Sequence, residues 1–138
     1  VTILQGITAD RKKVNVKVTD AGEVYITGGS GSGSSSPTVV TPLNAATATG
    51  TGSITIGSGK TLTVEIYGTA TAASVTFQST LASGTASLIM GSRKSDLELG
   101  TAGTLGEVWT FDVTGLETFI ANLTSVTGGN VTVKGKLV

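Results

Sequence analysis

Four carboxylates are the residues whose type and spacing come nearest to chemistry: Asp96 and Glu98, two positions apart, and Glu107 and Asp112, on either side of Trp109. Paired carboxylates can share acid and base work on a glycosidic bond, but only when they face each other across a cleft, and sequence spacing does not set up that arrangement. An Asp-x-Glu pair also falls short of the roughly six to eight oxygens that calcium takes. The plainer reading keeps these groups on the surface or pairs them with Arg93 and Lys94. Histidine and cysteine are both absent, which excludes histidine triads, histidine-ligated zinc, imidazole switches, thiolate nucleophiles and disulfides. Gly57-Ser58-Gly59-Lys60-Thr61 ends like a phosphate-binding loop, but Ile54 stands where the first glycine belongs and the next residues alternate as a strand rather than a helix. The Asn122 and Asn130 sequons are chance matches in a threonine-rich chain. No catalytic, cofactor-binding or metal-binding residue is therefore assigned. Tyr67, on the polar side of its strand, and Tyr25 are the side chains left as candidate glycan contacts, because a ring can stack on the apolar face of a sugar, and Tyr67 is the one singled out.

Elements that could position such groups are strands. The chain has 138 residues, 38% apolar and 13% charged, with nine basic and nine acidic side chains. Zero net charge gives no field to draw nucleic acid or anionic lipid, so neither is expected as a partner. No run approaches the ~20 apolar residues of a membrane span, and the N-terminus lacks a signal-peptide pattern. Val14, Val16 and Val18 alternate with Asn15 and Lys17, Thr19 to Gly22 turns, and Glu23 to Ile26 returns: a β-hairpin within residues 1–27. Such a hairpin is marginal alone and must dock on something. Gly28 to Pro37 reads as a Gly/Ser linker, and residues 38–138 as one β-domain.

Within that domain the clearest strand places Leu62, Val64 and Ile66 inward and Thr61, Thr63, Glu65 and Tyr67 outward. Val75 and Phe77 continue the pattern, as do Trp109, Phe111 and Val113, then Phe119, Ala121 and Leu123, then Val131 and Val133. Seven to nine short strands are expected, with Asn44 to Gly52 too small in side chain to add much core. Ser92 to Gly106 is expected as a long surface loop holding one short strand at Asp96 to Leu99. The fold class is all-β: an antiparallel β-sandwich, jelly-roll-like, with an N-terminal hairpin arm. Its core is Leu62, Val64, Ile66, Val75, Phe77, Trp109, Phe111, Phe119, Leu123, Val131 and Val133.

Two segments resemble a pattern in virion-associated proteins of tailed bacteriophages and prophages. One is Val14 to Ile26, with its valine-rich strand, Asp-Ala-Gly turn and second strand. The other is Glu107 to Leu116, followed by Ile120 to Leu123 and Thr127 to Gly135, with Gly68 to Ala70 and Phe77 to Ser79 resembling the preceding strand pair. The resemblance implies a non-enzymatic virion component with a β-sandwich, either a capsid decoration or head fibre or a tail accessory. It implies other virion proteins and further copies of the chain as partners, a virion location and no cofactor. The alternative it leaves is a carbohydrate-binding module for host surface glycans. A Gly-x-x-Trp turn is expected between Gln78 and Ser95; Leu81 to Thr85 stands there instead, which weakens sugar stacking.

Overall fold

The structure, a computed structural model, describes residues 36–138 throughout and, before them, the strands β1 (Ile3–Ile7), β2 (Lys13–Val18) and β3 (Val24–Ile26). Two compact units result, Val1–Ser35 and Ser36–Val138. In the first, the β2–β3 pair is antiparallel with Val16 opposite Ile26, and β1 adds a third strand on the other side of β2. Sequence alternation did not single out β1. The Thr19–Gly22 turn and residues 28–35 of the Gly/Ser tract lie outside the described residues.

The second unit runs β4 (Thr38–Ala46), β5 (Gly50–Thr55), β6 (Thr61–Gly68), β7 (Ala72–Thr80), β8 (Ala86–Leu88), β9 (Gly91–Arg93), β10 (Leu99–Gly100), β11 (Ala102–Thr104), β12 (Val108–Asp112), β13 (Thr118–Thr127) and β14 (Val131–Leu137). No helix occurs among the described residues. One sheet has the order β10-β9-β12-β6-β14-β4; the other has β11-β7-β13-β5, with β8 also beside β7. All pairings are antiparallel. From β4 to β7 and from β11 to β14, each strand is followed by one in the opposite sheet, the winding of a jelly roll. This architecture follows from the sequence: valines, threonines and aromatics at period two make strands with one apolar face, and two such faces must bury each other.

All eleven core residues read from the alternation are buried, joined by Leu43, Ile56, Ala73, Val113, Ala121 and Leu137. Two expectations need correction. Eleven strands form rather than seven to nine. Asn44 to Gly52 adds no buried residue, as its small side chains predict, although most of it is strand and the neighbouring Leu43 reaches the core. Ser92 to Gly106 is not one long loop: β9, β10 and β11 order it, and Asp96 and Leu97 fall in the turn rather than in a strand. Gly100 and Gly103 within it and Gly91 just before it, which look like loop punctuation, are close approaches. A Cβ on Gly91 would lie 2.3 Å from the Phe111 ring, and one on Gly103 would lie 2.5 Å from Trp109 Nε1. Thr132, between the inward Val131 and Val133, is only 7% exposed, and its hydroxyl accepts the Ala45 N–H at 3.0 Å.

Candidate functional site

Three of the four singled-out carboxylates converge on one cation. Arg93, last residue of β9, lies opposite Trp109 of β12. Its guanidinium donates to Asp96 through Nε at 3.0 Å and Nη2 at 2.6 Å, to Glu107 through Nη1 at 2.8 Å, and also to Glu98. The short β9–β10 connection brings Asp96 and Glu98 round, with Leu97 in the left-handed region at φ 62° and its N–H on the Arg93 carbonyl. Such a φ is uncommon for a leucine and is held here by the ion pairs around it. Glu107 enters from the Gly106 turn. Its second oxygen accepts the Trp109 indole N–H at 3.0 Å and the Thr104 backbone N–H at 2.9 Å. The Arg93 guanidinium carbon stands 5.9 Å from the Trp109 ring centroid, within cation–π range.

Electrostatics follow from this wiring. The Arg93 hydrogen bond, with help from the Glu98 backbone N–H, holds Asp96 down at about 2. Burial alone would push Glu107 up; hydrogen bonds from the Thr104 N–H, Arg93 and Trp109 outweigh it, so Glu107 sits below the usual carboxylate range. Arg93 is held further protonated by Asp96 and Glu107. Asp112 stands apart, lowered by the Thr114 backbone N–H that it accepts at 3.0 Å. A general acid needs a carboxyl that keeps its proton near neutral pH, and depressed values are the reverse of that. No group of three or more acidic residues among the described residues is arranged to hold a metal ion. The cluster ties β9–β10 to β12 and leaves beside it a cavity of about 230 Å³, lined by Arg93, Glu98, Gly103, Glu107 and Trp109 among others.

That wiring predicts a pH effect. Asp96 and Glu107 have lower pKa values folded than unfolded, so they add stability that is complete above the unfolded carboxylate range and is lost as pH falls toward about 2. Arg93→Met removes the cause while keeping much of the stem. Its urea midpoint, followed from pH 7 to pH 2, is expected to fall less steeply below pH 4 than the parent's; parallel curves would contradict the assignment.

The remaining sites lie elsewhere. Tyr67 is 43% exposed near the end of β6, opposite Thr132, and lines neither the Arg93 cavity nor a shallow one of about 280 Å³ on the outer face of β6, β12 and β14. Among residues 36–138 no second aromatic extends it into a platform, since the other ring side chains there are buried, and the Tyr25 side chain lies outside the described residues. Gly59 of the Gly-Lys-Thr stretch is a packing position: its Cβ would lie 2.5 Å from the Leu137 side chain, and β6 follows directly. The expected pairing of these acids with Arg93 is thus present, whereas their convergence on that one guanidinium was not foreseen, although three acids lie within fourteen residues of it in a chain only 13% charged.

Residues 36–137 match the XepA family model. The Bacillus subtilis (strain 168) protein YqxG is 38% identical over 81 residues, 57% of this chain and 27% of that protein. The PBSX phage-like element protein XepA of the same organism is 39% identical over 79 residues, 56% of this chain and 28% of XepA. The matched region thus spans little more than a quarter of these two relatives. Among solved structures, the SPBc2 prophage-derived protein YomS superposes with a TM-score of 0.70 at 34% identity, covering 74% of this chain and 92% of YomS. The PBSX exported protein XepA gives 0.71 at 28% identity, covering 74% of this chain and 37% of XepA.

Proposed function

This chain belongs to the XepA family and is phage-derived, and from that premise we propose that it is a non-enzymatic structural protein of the phage particle. Residues 1–27 attach to the particle and residues 38–138 display the sandwich, in several copies, as a capsid decoration, head fibre or tail accessory. One observation carries the reading: the best chemical groups of the domain are spent on structure. Asp96, Glu98 and Glu107 are bound up with Arg93, and Asp112 holds a turn. A rigid sandwich with occupied carboxylates acts by contact, and repetition lets weak contacts add. Neither nucleic acid nor membrane is needed as a partner. Prophage induction followed by density-gradient separation tests it: the chain is expected to band with purified particles in constant ratio. Recovery only from the particle-free supernatant or the cell fraction would overturn it.

A second reading has its own support. The similar XepA is named an exported protein, and Tyr67 offers an exposed ring. Both suit a module that meets glycans at the host surface. Saturable glycan binding lost in Tyr67→Ala would favour that reading.

A further inference from the structure

The sheet formed by β5, β13, β7, β8 and β11 contains no Asp, Glu, Lys or Arg at any strand position. Every charged residue of 36–138 lies in the opposite sheet or in a connection. The free face of a soluble sheet, its edges above all, ordinarily carries lysine and glutamate. Here most outward positions are hydroxyls and amides, with Ile120, Leu88 and a few alanines among them. Register sets Thr51 beside Asn122 beside Thr76, and in the next row Ser53 beside Ile120 beside Gln78. Thr80 and Thr118 bond each other at 2.5 Å, and Thr124 donates to the Ser74 carbonyl at 3.1 Å. Asn122, Gln78 and Thr76 form no side-chain hydrogen bond among the described residues.

A face without charge that keeps its hydrogen-bonding groups fits a partner of the same character. An anionic polymer would find no cation there. On β5, β13 and β7 a protein partner would find Ile120 as the one large outward apolar side chain, the exposed Leu81, Leu88 and Met90 lying on or beside β8 at the edge, and interface cores need a cluster of such anchors. A neutral polymer of hydroxyl and amide groups matches it. We propose that the outer face of β5–β13–β7 binds an uncharged, N-acetylated polysaccharide, with Asn122 and Gln78 bonding to its amide and hydroxyl groups and Thr51 and Thr76 flanking them. Adjacent strands hold these side chains about 4.8 Å apart on a rigid base. Without an aromatic platform each site is weak, and binding strength comes from many copies engaged at once. The proposal rests on the glycan reading and moves the contact from Tyr67 to the opposite sheet.

The test titrates the full ¹⁵N-labelled chain with chitohexaose, a neutral N-acetylated hexasaccharide, and separately with poly(glycerol phosphate). Chitohexaose is expected to shift the backbone amides of 51–53, 76–78 and 120–122 and the side-chain amides of Asn122 and Gln78, independently of salt. Asn122→Ala is expected to weaken binding about fivefold, the loss of one neutral hydrogen bond, with the unfolding midpoint unchanged. No shifts at millimolar sugar would overturn the proposal. Shifts centred on Tyr67 and abolished by Tyr67→Ala would overturn it while sparing the glycan reading. Salt-sensitive binding of poly(glycerol phosphate) alone, or an oligomer that Asn122→Arg dissociates, would show another occupant on this face and overturn it as well. The particle test above is unaffected by any of these results.

Discussion

Phe77→Ala is expected to cost about 3–5 kcal/mol, the range for removing a buried phenylalanine, and to lower the melting midpoint of residues 36–138 by roughly 15 °C or more. Phe77 is fully buried and forms the joint between the two sheets. From β7 its ring meets Phe111 of the opposite sheet edge-on at 4.8 Å and Trp109, also opposite, at 5.6 Å, and it stacks on Phe119 at 6.0 Å. Phe111 and Phe119 approach to 5.0 Å, so the four rings form one connected group. Aromatic pairs contribute about 0.5–1.5 kcal/mol beyond buried area, and truncation at Phe77 removes three pairs at once and leaves a cavity between rigid sheets. Since a domain of this size has only about 5–15 kcal/mol of stability, the variant should sit close to unfolding at 37 °C. Trp109 is the sole tryptophan, so its fluorescence reports this unit without interference from residues 1–35. Phe77→Leu, which keeps most of the apolar bulk, should lose much less. Equal losses for the two variants, or a loss under about 1 kcal/mol for alanine, would deny Phe77 its central place.

The same arrangement shows what sequence could and could not reveal. Where strands pair in regular register, apolar residues fall at every second position, so Leu62-Val64-Ile66 and Val131-Val133 announce the core directly. Leu43 is hidden because β14 and β4 shift register on both sides of Val133, and Pro42 and Leu43 are buried in succession. A bulge defeats any search for period two. Between Gly91 and Gly106 the difficulty is different. Gly91, Gly100 and Gly103 are there because aromatic rings fill the space a side chain would need, a long-range cause with no local mark. The Arg93 hub shares that character: the pairing with carboxylates is legible from composition, but its convergence depends on a leucine adopting a backbone state that sequence does not favour. Tyr67 was legible as an outward ring, and the neutrality of one whole sheet was not, because strand order, unlike strand identity, is a tertiary fact.

Gly135→Ala should produce the second large loss, about 2–3 kcal/mol, from crowding alone. Gly135 lies in β14 between the lysines of the outer face and pairs with Val64 of β6, in the middle of the larger sheet. Its φ is not positive, so no conformational penalty attaches to a side chain. Space is the constraint: a Cβ would lie 2.1 Å from the Thr63 carbonyl oxygen and 2.9 Å from the Val64 Cα. Both obstacles are backbone, which cannot swing aside as a side-chain tip can, so β14 must lift from β6 and weaken the ladder that holds Val133 and Leu137 in the core. Gly135→Val should be worse, because branching at Cβ adds atoms where the first already collides. Gly50→Ala is the matching control: it sits on β5, an added Cβ would meet nothing within 4 Å, and its φ is not positive. Alanine there should be neutral or stabilise by about 0.4–1 kcal/mol through the unfolded chain. Urea unfolding followed at Trp109 would compare the three variants on one scale. A Gly135→Ala midpoint at or above that of the parent would mean that β6 and β14 are not packed as closely as this register requires.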